Sequence, residues 1–180
     1  AADIILKMWA RRYDRTADFV VIEGPKAGGH LGFSDEELAD IENIDYDEEI
    51  KDIIECTKEY GEKYNTNIHV IVAGGIIDTD DIIHALELVA CGVQIASRFV
   101  ATKECDASDE YKQAYLDAKE DDVKIIKSPV GMPGRAIRND FIKRVEKEKQ
   151  PVENGNRDHS DSGDFASRSD LCLWDSLFPG

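Results

Sequence analysis

The chain has 180 residues, 38 acidic against 22 basic side chains, a formal charge of −16 and 42% hydrophobic residues. That length predicts one domain, or one domain with a tail, and that apolar content excludes wholesale disorder. The acidic balance argues against nucleic acid and anionic membrane surfaces as partners; no apolar run reaches the ~18 residues of a membrane helix, and no charged-then-apolar leader opens the chain.

Residues 4–15 place Ile4, Ile5, Met8 and Trp9 at helical spacing. FVVIEG (19–24) is a continuous apolar run stopped by Gly24 and Pro25, the pattern of a strand buried on both faces. Residues 46–64 put Ile50, Ile53, Ile54, Thr57 and Tyr60 on one stripe, which predicts an amphipathic helix. HVIVAGGI (69–76) reads as a second buried strand. A helix follows, capped by Asp78 or Thr79, lined by Ile82, Ile83, Leu86 and Val89, and ended by Gly92. GVQIASRFV (92–100) reads as a third strand, so the order is the βαβ alternation of an α/β fold with right-handed crossovers. Ser108 opens a further helix over 108–121. Pro and Gly punctuate residues 124–141 so often that an ordered loop is expected there. From about residue 146 a tail begins, and its Ser-, Asp-, Asn- and Gly-rich stretch predicts disorder.

Candidate chemistry gathers after the strands, where parallel α/β folds bind ligands. Gly74 and Gly75 precede a helix N-terminus. They read either as a phosphate cradle, using close backbone N–H groups and the helix dipole, or as a plain tight turn. The Ala96–Ser97 amides and the Ser97 hydroxyl are positioned to complete such a cradle from the next strand. His30 follows Gly28–Gly29 on a loop, and reads either as an acid–base group near neutral pH or as a loop histidine bonded to backbone. Glu23 ends a strand, where capping or an ion pair is the simpler role. Arg98 reads as a phosphate partner or a structural ion pair, and Arg135 and Arg138 as an anion clamp or a loop brace. The acidic runs DEELADIE and DYDEE read as solvated faces and helix starts. His69 opens a strand, His84 faces solvent from a helix and His159 lies in the tail, so no pair has metal-ligand spacing and no metal site is expected. Cys56, Cys91, Cys105 and Cys172 form no C-x-x-C pair, which suits a reducing, cytoplasmic setting.

Taken together, EGPKAGGHLGF (23–33), VIVAGGI (70–76), GVQIASRFVATKECDAS (92–108) and KSPVGMPGRAIRN (127–139) resemble the nitronate monooxygenase family, formerly the 2-nitropropane dioxygenases. The likeness covers roughly residues 1–145 and implies the C-terminal part of a TIM-type (β/α)8 barrel, about its last three βα units plus an inserted loop region. It also implies non-covalent FMN and the oxidation of alkyl nitronates, small molecules, with O₂. By the same resemblance His30 matches the active-site histidine. Gly75 and Gln94, Ile95, Ala96 and Ser97 match the positions that hold the FMN phosphate, with Gly74 and Gly32 adjacent. Relatives carry Gly-Thr where this chain has Ala96–Ser97; Ser97 keeps the hydroxyl while Ala96 adds a methyl group.

Two alternatives stay open. The FMN-dependent enoyl-acyl carrier protein reductase shares the GGH and AGGI blocks and reduces a double bond with a nicotinamide nucleotide. A non-catalytic remnant is the other, because a (β/α)8 barrel usually takes ~250 residues and only three of its strands are recognisable. The chain opens on Ala1–Ala2 rather than Met, so its natural start is expected upstream.

Overall fold

The computed structural model describes residues 1–127 and 131–148. These residues form two compact units, Ala1–Ala27 with Phe33–Phe99, and Gly28–Gly32 with the described residues from Val100 onward.

The first unit is a strand–helix layer. It opens with α1 (Ala2–Tyr13), followed by β1 (Phe19–Glu23), a short α2 (Asp35–Ala39), a 3-10 turn (Ile41–Asn43) and α3 (Tyr46–Tyr64). Then come β3 (His69–Ala73), α4 (Thr79–Glu87), β4 (Gly92–Gln94) and α5 (Ser97–Val100); β2 is the two-residue Gly29–His30 of the other unit. Strands β1, β3 and β4 make a parallel sheet in the order β1-β3-β4. The unit is α/β, as the alternation of buried runs and amphipathic stripes predicts.

Ile22, Val70 and Val72 on one sheet face pack with Ile50 and Ile54 of α3 and Ala85 of α4 to form the core. The acidic runs are helix starts. Ser34 caps α2 in a capping box with Glu37, and Asp45 accepts the Glu48 N–H at the head of α3.

Two boundaries differ from expectation. The third strand stops at Gln94, and Ser97–Val100 turns helical instead of continuing to residue 100. The fourth helix ends at Glu87 rather than at Gly92, through a Schellman turn in which Ala90 N–H donates to the Ala85 carbonyl and Val89 N–H to that of Leu86. The left-handed position of that turn holds Val89, at φ +70, where glycine is the usual occupant; Gly92 instead opens β4.

The second unit corrects the expected loop over 124–141. Helix α6 (Asp109–Asp117), capped by Ser108, and a 3-10 turn (Glu120–Asp122) lead into β5 (Val123–Lys127). With β6 (Pro133–Ile137) and β2 this makes an antiparallel sheet in the order β2-β6-β5. Pro133 is tolerated because it is the first residue of its strand. A final helix, α7 (Asp140–Glu148), starts from Asn139, whose side-chain oxygen accepts the Ile142 N–H. The tail expected from residue 146 lies, beyond Glu148, outside the described residues, as do Cys172 and His159.

Candidate functional site

Register brings most of the candidate positions to one sheet edge. Glu23 pairs with Ala73, and Ala73 with Gln94, so the segments that begin at Gly24, Gly74 and Ile95 leave the sheet at one level. Gly24 is required by packing: a Cβ there would lie 2.7 Å from Tyr46 Cε1. Tyr46 O–H donates to the Ile22 carbonyl at 3.2 Å, and burial, with help from the Glu49 and Glu23 charges, pushes its phenol above the ordinary tyrosine value.

Gly74 and Gly75 sit at φ +85 and +91, and both are pressed by the β1 loop. A Cβ on Gly74 would meet Ala27 Cβ at 2.9 Å and the Gly24 and Ala27 nitrogens at 3.0 and 3.1 Å; one on Gly75 would meet Lys26 Cβ at 2.8 Å. The loop's own geometry therefore accounts for both glycines. The same geometry leaves the Gly75 and Ile76 N–H groups with no acceptor among the described residues.

The helix that follows contributes less than expected. Asp81 Oδ2 accepts the N–H groups of Ile77 and Asp78 at 2.8 and 3.1 Å, and Asp78 Oδ1 those of Asp80 and Asp81 at 3.0 and 3.2 Å. Of the first-turn donors, those of Asp80 and Asp81 are thus spent on Asp78, so the start of α4 has less to offer an anion than a bare helix N-terminus. The bonds from Ile77 and Asp78, with a smaller effect of the Lys26 charge, hold the Asp81 carboxyl below its ordinary value.

On the neighbouring strand, Gln94 is exposed at the end of β4, Ile95 is half-buried, and Ala96 and Ser97 are exposed at the start of α5. The N–H groups of Ile95, Ala96 and Ser97 donate to no group of the chain among the described residues, while the Ala96 carbonyl accepts from Phe99. Two runs of free backbone donors, at Gly75–Ile76 and Ile95–Ser97, thus follow paired strands, and they suit an anion such as phosphate. Arg98 is exposed and has no carboxylate partner among the described residues.

His30 and Gly32 belong to the second unit. The expected loop is a short strand here: Gly29, at φ +72, pairs with Arg135, and His30 with Gly134. Leu31 anchors the segment, being 2% exposed and donating its N–H to the Pro133 carbonyl. His30 itself is exposed on this braced ladder, and among the described residues, its chain neighbours aside, nothing lies within 4 Å of where a Gly32 Cβ would be. Burial pulls the Arg135 guanidinium below its ordinary value. Arg138 is a brace, held by Glu146 through Nη2 at 2.7 Å and Nε at 2.9 Å.

Lys26 was not singled out by spacing, since a lysine after proline carries no periodic signal. Its stem covers Gly75, and it lines a cavity of about 270 Å³ in the first unit together with Tyr46, Asp47, Asp81 and His84. His84 is exposed but not free, because its Nε2 lies 3.0 Å from Asp47 Oδ1. Among the described residues no group of His, Cys, Asp and Glu could hold a metal ion, and no helix is long and apolar enough to cross a membrane.

The family described as nitronate monooxygenase matches residues 1–166. A probable nitronate monooxygenase of Staphylococcus saprophyticus is 31% identical over 129 residues, covering 71% of this chain and 34% of that protein. One of Staphylococcus aureus (strain Newman) is 30% identical over 131 residues, with the same coverage, so the chain spans about a third of these relatives' length. Among solved structures, FabK from Thermotoga maritima aligns with TM-score 0.58 and 28% identity over 83% of this chain and 41% of that one. A nitroalkane oxidase from Streptomyces ansochromogenes aligns with TM-score 0.52 and 28% identity over 71% and 34%.

Proposed function

The chain belongs to the nitronate monooxygenase family, and from that premise we propose that it is the C-terminal part of a TIM-type barrel that binds FMN and oxidises alkyl nitronates with O₂. The observation that carries this reading is the pair of unspent donor runs at Gly75–Ile76 and Ile95–Ser97, on register-matched strand ends. In this reading they hold the FMN phosphate, with the Ser97 hydroxyl as a further donor and Gln94 and Gly74 fixing the approach. Ala96 is exposed, and it adds a methyl group where relatives carry glycine. Gly32 admits the cofactor without a side chain in its way. When bound, the flavin supplies electron transfer between nitronate and O₂; the protein supplies position and local charge. His30 holds the nitro group of a nitronate and takes the α-carbon proton of a neutral nitroalkane, from a backbone position braced by pairing with Gly134. The setting is the cytoplasm.

The test uses the full chain, titrated with FMN and then supplied with ethyl nitronate under air. Flavin binding with nitronate-dependent O₂ uptake, lost in His30→Ala while binding persists, is the expected result. Uptake undiminished in His30→Ala removes the catalytic assignment. NADH consumption with a crotonyl thioester, and no nitronate-dependent uptake, establishes the enoyl reductase reading instead. Failure to bind FMN leaves the chain a non-catalytic remnant.

A further inference from the structure

Lys26 is held at the corner of a tight turn. Ala27 N–H donates to the Gly24 carbonyl at 3.0 Å, and Pro25 in the second position fixes the backbone there. Gly24 N–H in turn donates to the Ala73 carbonyl at 2.9 Å, which pins the turn to the end of β3. Pro25 and Ala27 are buried, and Lys26 stands exposed between them. Its stem lies along Gly75, since Cβ, Cδ and Cγ are 2.8, 3.2 and 3.5 Å from where a Gly75 Cβ would be. The ammonium is only two bonds past Cδ, within a side chain's reach of the Gly75 and Ile76 N–H groups.

The polar groups of the cavity that Lys26 lines divide into used and unused. Asp81 accepts the Ile77 and Asp78 N–H groups, and Asp47 lies 3.0 Å from His84 Nε2, while Glu42 is exposed at the rim. Lys26 makes no ion pair among the described residues, although the chain carries 38 acidic side chains against 22 basic ones. Placement, and not a shortage of carboxylates, therefore leaves it unpaired. The Gly75 and Ile76 N–H groups are unspent as well. Unspent donors beside an unpaired cation suit an anion, and a cationic ligand could use neither. Asp81 works the other way, because its Oδ2 stands 2.8 Å from the Ile77 nitrogen, the next amide after Ile76. The bonds from Ile77 and Asp78 and, to a smaller extent, the Lys26 charge hold that carboxyl low, so ammonium and carboxylate share one local field.

We propose that Lys26 is the counter-charge of a phosphate subsite at Gly75–Ile76 and that Asp81 opposes it, so that the pair makes the site prefer a phosphorylated flavin to an unphosphorylated one. The proposal rests on reading these donors as a phosphate cradle, and it needs neither O₂ nor turnover. The full chain is titrated with FMN and with riboflavin, and binding is read from flavin fluorescence. The parent should bind FMN more tightly than riboflavin. Lys26→Met should weaken FMN binding roughly tenfold, the order of one ammonium–phosphate contact near a surface, and leave riboflavin binding unchanged. Lys26→Arg should keep the FMN affinity, and Asp81→Asn, which retains an acceptor oxygen but no charge, should tighten it. Lys51→Met removes the same charge from α3, where the side chain is 56% exposed, and should change neither ligand. Added salt should narrow the gap between parent and Lys26→Met. Equal FMN affinity in parent and Lys26→Met would overturn the proposal. An equal loss for riboflavin would overturn it too, by placing the effect in the fold. Inorganic phosphate separates this proposal from the flavin reading. If phosphate shifts the Gly75 and Ile76 amide resonances of the parent but not of Lys26→Met, the subsite stands even where no flavin binds. In a parent that binds no flavin, absence of that shift overturns it.

Discussion

Replacing Gly74 by alanine tests whether the β1 and β3 loops are seated on each other as described. The backbone there is at φ +85, a region that costs a residue with a Cβ roughly 1–2 kcal/mol. The new methyl carbon would also lie 2.9 Å from Ala27 Cβ and 3.0 and 3.1 Å from the nitrogens of Gly24 and Ala27. None of these atoms is the end of a flexible side chain, so relief requires the two loops to part, and overpacking of that kind costs typically 1–3 kcal/mol. The sum is about 2–5 kcal/mol. With a urea m-value of ~1–3 kcal/mol/M, the unfolding midpoint of the full chain should fall by roughly 1 M or more. Adding Ala27→Gly should restore only part of the loss, because it removes one contact and leaves both the Gly24 nitrogen and the backbone conformation. Gly32→Ala is the contrasting case: among the described residues nothing beyond its chain neighbours lies within 4 Å of its Cβ position, and its φ is ordinary. Its stability should change by less than ~0.5 kcal/mol, so a loss of FMN affinity in that variant reports on the ligand and not on the fold. A Gly74→Ala midpoint equal to that of the parent would refute the packing of these loops, and with it the register of donors built upon them.

Val89→Gly should stabilise the chain. It relieves a β-branched residue at φ +70, worth roughly 1–2 kcal/mol, and gives back about 0.5–1 kcal/mol in unfolded-chain entropy; the side chain is 66% exposed, so little packing is lost. The expected net gain of about 0.5–1 kcal/mol raises Tm by a few degrees, and a lower Tm would mean that the valine side chain is engaged. Asp81 sets a pH dependence. Its carboxyl sits below the ordinary 3.8 in the folded chain, so the folded state binds fewer protons than the unfolded one there. Its stabilising effect is therefore full above that value and is lost as pH falls through the lowered one. The urea midpoints of parent and Asp81→Asn should differ at pH 7 and converge on acidification, and a gap that widens toward acid would reverse the assignment.

How much of this was readable beforehand depended on which interactions decide each element. Helix α3 matches its stripe because Ile50 and Ile54 turn into one core and Thr57 is buried on the same helix; β1 and β3 match as strands, but β1 is not buried on both faces as its apolar run predicts, since only Ile22 is buried and Phe19 and Val21 are exposed. The antiparallel sheet was hidden because what makes it is non-local. Pro133 and Gly134 look like breakers in one dimension, yet Pro133 needs no ladder N–H at a strand start, and Gly134 lies directly opposite His30, about a hundred residues away in the chain. The end of α4 departs from its local signal for the opposite reason: a local rule assigns the left-handed position to glycine, and here Val89 takes it, with two Schellman bonds holding the turn. The site divides the same way. Gly74 and Gly75 were visible as a pair, but whether their neighbours' amides are free depends on where Asp78 and Asp81 aim, and spacing does not report side-chain direction. Spacing therefore leaves open how much the helix start adds to a cradle at Gly74–Gly75, and the capping box of Asp78 and Asp81 reduces that contribution. An anion at this edge is left with the donors of the loops, near a cation, Lys26, whose charge also acts on Asp81.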